Sequence, residues 1–150
     1  MARNKIFTID IEVRFRDLDA MGHVNNAVFF TYFEEGRKNF SHKIFNLKEP
    51  SEFTFIMAHI RCDYLKPVKL SDRPSLQMWV KDIGNKSFDY GYKLIDRMDE
   101  SIVYAAGESV QVCYDYKAEK SIPVPEHMRT GLSEYLNPDI SLKQPQIHAD

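Results

Sequence analysis

The sequence predicts an α+β domain: a five-stranded antiparallel sheet wrapped around one long central helix, with a short second helix near the C-terminus. Three observations predict it. Residues 7–15 (FTIDIEVRF) alternate apolar and polar with period two, as a strand with one face on a core does. Phe29, Phe33, Gly36, Phe40 and Ile44 then recur at the spacing of one helix face. Four more strand-like runs follow, joined by short turns that favour antiparallel neighbours. One long apolar helix beside such a sheet has one obvious arrangement, with the sheet curved around the helix. The 150 residues suit a single domain with a core over about residues 7–130.

The first strand is followed by a polar loop and then by the helix. Asn25 or Asn26 is its natural N-cap, because an asparagine side chain accepts from an unpaired backbone N–H. Glu34, Glu35, Lys38 and Lys43 mostly fill the solvent face, with Glu34 and Lys38 as an i,i+4 pair. Asn46 and the Lys48-Glu49-Pro50-Ser51 cluster stop the helix near residue 45. Gly36 in mid-helix costs about 1 kcal/mol against alanine, which makes sense if a strand passes very close there.

The next strand covers residues 55–64 and ends before Lys66-Pro67. A turn at Ser71-Asp72-Arg73-Pro74 leads into residues 75–83, and Gly84-Asn85-Lys86 reads as a hairpin into residues 87–96. Met98-Asp99-Glu100 turns into a long strand over 101–116, closed by the charged turn Lys117-Ala118-Glu119-Lys120. Pro125 opens a short helix over 126–135. The tail over 137–150 carries Pro138 and Pro145 and is expected to be loosely ordered.

Composition narrows the function classes. A chain 43% hydrophobic and 28% charged fits a soluble globular protein. A net charge of −2 argues against nucleic acid as a partner. No apolar run is long enough for a membrane span, and Met1-Ala2-Arg3-Asn4-Lys5 leads into no signal core. Cys62 and Cys113 form no CxxC motif and are expected as buried reduced thiols, which gives a cytoplasmic location by default. His42, His59, His127 and His148 lack ligand spacing, so no metal site is expected.

Chemistry concentrates in Asp17-Leu18-Asp19-Ala20-Met21-Gly22-His23-Val24-Asn25-Asn26. The first turn of a helix offers free N–H groups and a positive dipole end. Asp19 lies a few residues upstream, where a carboxylate could attack a carbonyl, or activate water towards it, while the oxyanion meets backbone donors. Asp17 reads as a capping or solvated residue, and His23 as a loop ligand or a proton carrier. A Cys113–His23–Asn25 triad has the right residue types, but nothing near Cys113 would lower its pKa. Phe29, Phe33 and Phe40 read mostly as core; one or two of them, with Phe55 or Met57, are candidates to line an apolar tunnel. Lys66, Lys69 and Arg73 are solvated turn charges that could double as phosphate contacts.

Val13-Arg14-Phe15-Arg16 leading into that stretch, with Phe29-Phe30-Thr31-Tyr32-Phe33-Glu34-Glu35-Gly36-Arg37 after it, resembles the hotdog-fold acyl-CoA thioesterases of the 4-hydroxybenzoyl-CoA thioesterase type. The likeness covers about residues 7–130, and the His-Val-Asn-Asn variant is also similar to plant acyl-carrier-protein thioesterases. The resemblance implies hydrolysis of an acyl-CoA to free acid and CoA. It makes Asp19 the catalytic nucleophile or general base and the Asn26 amide the donor to the thioester carbonyl. Many relatives have a glycine and apolar residues where this chain has Gly22-His23-Val24-Asn25, so His23 or Asn25 could share the work. Asn85-Lys86-Ser87-Phe88 resembles the basic segment at the CoA surface, with Gly84 and Asn85 in place of arginines. Lys86 is then the point charge for a CoA phosphate, with Ser87 beside it. No metal or redox cofactor is implied, since CoA belongs to the substrate. The resemblance further implies a homodimer, or a dimer of dimers, joined edge to edge, with Asp19 and Lys86 of a site drawn from different chains. The rival readings are a hotdog hydratase or dehydratase using Asp19 and His23, and a non-catalytic acyl-CoA-binding module.

Overall fold

The helical stripe and the alternating runs become, in a computed structural model describing residues 4–142, a curled antiparallel sheet around one long helix. The helix α1 (Asn26–Lys43) buries Phe29, Tyr32, Phe33, Gly36 and Phe40. Its start is capped by Asn25, whose Oδ1 accepts from Ala27 N–H at 2.9 Å. It ends slightly earlier than expected, and Asn46 turns the chain away in the left-handed region at φ 56°. The anticipated Glu34–Lys38 pair does not form, because Lys38 reaches back to Glu35 at 3.0 Å instead. Both ends of that pair are largely in solvent, where such contacts contribute little.

The strands are β1 (Phe7–Asp10), β2 (Phe55–Tyr64), β3 (Pro74–Ile83), β4 (Ser87–Asp96), β5 (Val103–Asp115) and a short β6 (Lys120–Ser121). A second helix, α2 (Glu126–Glu134), follows Pro125 as expected. β6 arises at the end of the expected charged turn, where Lys120 and Ser121 pair with Asp115 and Tyr114.

Two expectations about the sheet need correction. The first strand stops at Asp10 rather than running to residue 15. Its pairing with β3 ends at Asp10↔Ser75, and Arg14 N–H then turns into the Asp17 carboxylate at 2.9 Å. The chain thus folds back into a single 3-10 turn, Phe15–Asp17, and β-pairing cannot continue. The second correction concerns order. The strands lie β1-β3-β4-β5-β2, so β2 and β3 are not neighbours although they follow each other in sequence. Residues 65–73 form a crossover spanning three strand spacings, about 14 Å. Beyond it, β2 pairs with β5 on the far edge, from Phe55↔Cys113 to Tyr64↔Ala105.

The core lies between α1 and the sheet. Phe40 is fully buried and meets Phe7, Phe45, Tyr90 and Tyr135 edge to face, while Phe33 stacks flat on Tyr92 at 4.4 Å. A Cβ at Gly36 would stand 2.5 Å from Leu76 Cδ2 and 3.0 Å from Met78 Sδ, so the glycine marks the close approach of β3. Cys113 is buried, whereas Cys62 is only partly so, and both are free thiols. Residues 137–142 are not loose throughout: Asn137 is buried with Nδ2 donating to the Lys5 carbonyl at 3.0 Å, and Ile140 is buried. The tail over 143–150 lies outside the described residues.

Candidate active site

The acidic loop is anchored by Asp17, and the anchor is buried rather than solvated as expected. Its carboxylate accepts from Arg14 N–H at 2.9 Å, Arg14 Nε–H at 3.0 Å and the Tyr32 hydroxyl at 2.8 Å. Burial alone would raise its pKa, but these donors outweigh burial and hold it below the usual carboxylate range. Burial, reinforced by the same bond to Asp17, pushes the Tyr32 hydroxyl well up. Tyr32 belongs to α1, so this bond fixes the loop to the helix.

Asp19 sits in the turn that Asp17 secures. Leu18 and Val24 pair in an antiparallel bridge, Asp19 N–H donates to the His23 carbonyl at 2.7 Å, and Gly22 closes the turn at φ 78°. Asp19 Oδ1 accepts from Met21 N–H at 2.9 Å and His23 N–H at 3.2 Å. Oδ2 accepts from none of the described residues, and the side chain is exposed. One oxygen therefore fixes the carboxylate while the other faces outward. Two large apolar side chains of the same loop stand in the open: Phe15 is 81% exposed and Met21 80%.

The crossover between β2 and β3 joins this loop to the helix start. Val24 N–H donates to the Val68 carbonyl at 2.8 Å, and His23 bridges Lys69. From the end of β2, the Tyr64 hydroxyl donates to the Asn26 carbonyl at 2.8 Å. Asn25 takes the Ala27 N–H with its side chain and the Val28 N–H with its carbonyl. The Asn26 N–H is left as a first-turn donor without an acceptor among the described residues. The half-buried His23 ring makes no hydrogen bond to a described residue. Asp19, His23, Asn25 and Asn26 are thus brought together at one end of the sheet, with the exposed Lys69 alongside.

Lys86 and Ser87 are not part of that cluster. They lie at the β3–β4 hairpin, and the length of β3 puts about 30 Å between the two ends. Arg129 of α2 pins this hairpin by donating to the Gly84 carbonyl at 2.9 Å. Cys113 also lies at that far end, paired with Phe55, and burial pushes its thiol up to about 11. The Cys113–His23–Asn25 triad is therefore not assembled. No group of three or more metal-ligating side chains occurs among the described residues. Tyr32, Tyr64 and Val68 were missed from the sequence. Tyr32 falls on the apolar helix face and could have been placed there, but nothing in the sequence pairs it with Asp17.

The loop that carries the uncommitted Asp19 oxygen is tied to the helix start by Asn25 N–H donating to the Asp17 carbonyl at 2.8 Å. A carboxylate and a free helix-start N–H are the residue types that attack a carbonyl, or direct water at it, and stabilise an oxyanion. Comparison with known proteins finds thioesterases. The sequence model of the thioesterase-like superfamily matches residues 13–132. The long-chain acyl-CoA thioesterase FadM of Escherichia coli is 27% identical over 126 residues, covering 83% of this chain and 95% of that protein. The uncharacterized protein YsmA of Bacillus subtilis is 30% identical over 82 residues, and the match spans 55% of this chain and 56% of that protein. Among solved structures, a Thermus thermophilus thioesterase complexed with coenzyme A and Zn superposes with a TM-score of 0.72 at 30% identity, over 86% of this chain and 98% of that one.

Proposed function

The chain belongs to the thioesterase-like superfamily, and on that premise we propose that it cleaves an acyl-CoA to free acid and CoA with Asp19 as nucleophile or general base. The observation that carries this reading is the Asp19 carboxylate itself. Its Oδ1 is tied down by two backbone N–H groups and its Oδ2 accepts from no described residue, in the loop that feeds the start of α1. A thioester carbonyl placed against the Asn26 N–H would present its carbon to Oδ2. As negative charge develops on the carbonyl oxygen, that N–H and the helix dipole stabilise it, a contribution of about 3 kcal/mol per donor. The thiolate of CoA is a good leaving group, so no metal is called on to polarise the bond. His23 and Asn25 border the same spot and position the water or the carboxylate.

The phosphate end of CoA needs a second copy of the chain. Within one chain, Lys86 lies at the opposite end of the sheet from Asp19. β2 is a ten-residue open edge with Ile56, Met57 and Tyr64 exposed along it. Two such edges joined about a two-fold axis run antiparallel, so the Phe55 end of one lies beside the Tyr64 end of the other. Lys86 neighbours the Phe55 end through Ser87↔Val112 and Phe55↔Cys113, and Asn26 is bonded to Tyr64. Pairing therefore brings Lys86 and Ser87 of one copy to the Asp19 loop of the other.

The test is free-thiol release from a panel of acyl-CoAs by wild type and Asp19→Asn. Turnover by the wild type and a loss of at least about 100-fold in the variant are expected, as for removal of a positioned acid–base group. Near-normal turnover by Asp19→Asn would refute the assignment. Water added across a double bond without thiol release would favour a hydratase instead.

A further inference from the structure

Between α1 and the open edge strand lies a cavity of 370 Å³, lined by Glu34, Arg37, Phe53, Phe55, Met57 and Gln111 among others. Phe53, Phe55 and Met57 form its apolar wall, and two cations reach it, Lys38, which is paired with Glu35, and Arg37. Arg37 NH1 donates to the Tyr92 hydroxyl at 3.2 Å. Tyr92 is fully buried and bonded to Ser109, Ser109 donates to Gln111 Oε1, and Gln111 Nε2 donates to the Phe88 carbonyl at 3.1 Å. Each hydroxyl has one proton to give. Since Ser109 spends its own on Gln111, Tyr92 must donate to Ser109, and Arg37 fills a Tyr92 lone pair. The chain of donors thus runs in one direction, away from Arg37.

The guanidinium uses one of its five N–H donors on Tyr92, and the others have no acceptor among the described residues. Arg14, Arg61 and Arg97 each hold a carboxylate, whereas Arg37, like Arg16, Arg73 and Arg129, forms no ion pair with any described residue; of these four only Arg37 lines the cavity. Glu34 lines the same opening, but it is exposed to solvent and unbonded to Arg37. A half-buried cation without a counter-charge, at the end of an apolar slot, is a site waiting for an anion.

We propose that Arg37 sets acyl specificity: it holds a carboxylate at the far end of the acyl chain, so the favoured substrates are CoA half-thioesters of dicarboxylic acids. A carboxylate matches the planar guanidinium fork with two parallel hydrogen bonds, and the Phe53, Phe55 and Met57 wall takes the intervening methylenes. The inference rests on the thioesterase reading for the reacting end. In the two-fold arrangement above, the Phe55–Met57 end of one copy adjoins the helix start of the other, so acyl chain and thioester fall on either side of that seam.

The test compares adipoyl-CoA with hexanoyl-CoA, which are equal in length and differ only in the terminal carboxylate. Wild type is expected to favour adipoyl-CoA in kcat/KM by at least about tenfold, as charge-assisted hydrogen bonds imply. The ratio should fall to about one in Arg37→Gln, chiefly through KM. A wild-type ratio near one, or a ratio that survives in Arg37→Gln, overturns the proposal while leaving hydrolysis intact. If neither thioester is cleaved, calorimetric binding of the same two compounds to the wild type decides. Tighter binding of adipoyl-CoA that is lost in Arg37→Gln upholds the role of Arg37 and sinks hydrolysis. Equal affinity, or no binding, overturns the role of Arg37.

Discussion

Two carboxylates two residues apart have opposite environments, and that contrast separates structure from chemistry. Asp17 is buried and saturated with donors, while Asp19 is open and half committed. Because native contacts hold Asp17 below its unfolded pKa, the folded state carries fewer protons than the unfolded one at mildly acid pH. That contribution is complete above the ordinary carboxylate pKa and is lost as pH falls through the lowered one. Asp17→Asn should therefore cost about 1–3 kcal/mol at pH 7, a drop of several degrees in Tm. The cost should shrink as pH falls through that lowered pKa, where the wild type also loses the charge; thermal melts over an acid pH series check it. The sequence showed both acids and the glycine turn between them and the helix. It could not show which acid was buried, because that depends on Arg14 and on Tyr32, fifteen residues away.

At the scale of elements, the helix, its cap and the β3–β4 hairpin were legible because each is written in contiguous residues. The helix stripe, Asn25 and Gly84-Asn85-Lys86 needed no distant partner to be read. The strand order was not legible, since turn length suggests neighbours but cannot reveal that residues 65–73 cross the sheet. The same limit hid the latch from Val24 to Val68 that ties this crossover to the Asp19 loop. Glycines under the helix test the packing directly. A Cβ at Gly36 would press on the movable ends of Leu76 and Met78, whereas one at Gly107 would stand 2.5 Å from the Arg61 carbonyl oxygen and 2.7 Å from Phe33. Gly36→Ala regains about 1 kcal/mol of helix propensity against overpacking, so its net cost should stay near 1 kcal/mol. Gly107→Ala meets backbone that cannot give way and should cost about 3 kcal/mol or more; chemical denaturation of both variants would rank them.

For the whole molecule, the decisive feature is the unpaired side of β2. Ile56 is 37% exposed there and Ala58 sits at the irregularity between Met57 and His59. If that edge joins two copies, Ile56→Lys combined with Ala58→Pro should leave a folded single chain in sedimentation equilibrium, where wild type has at least twice that mass. Thiol release should fall by about 100-fold with it, since each site would lose its Lys86 half and its seam. A fully active single chain would contradict the composite site. The placement of β2 also bears on biosynthesis. Its hydrogen-bonding partner β5 ends at Asp115, so β2 leaves the ribosome long before the strand that covers its inner side exists. Pairing of β2 must wait until β5 has been made, so the nascent chain carries that strand uncovered in the meantime.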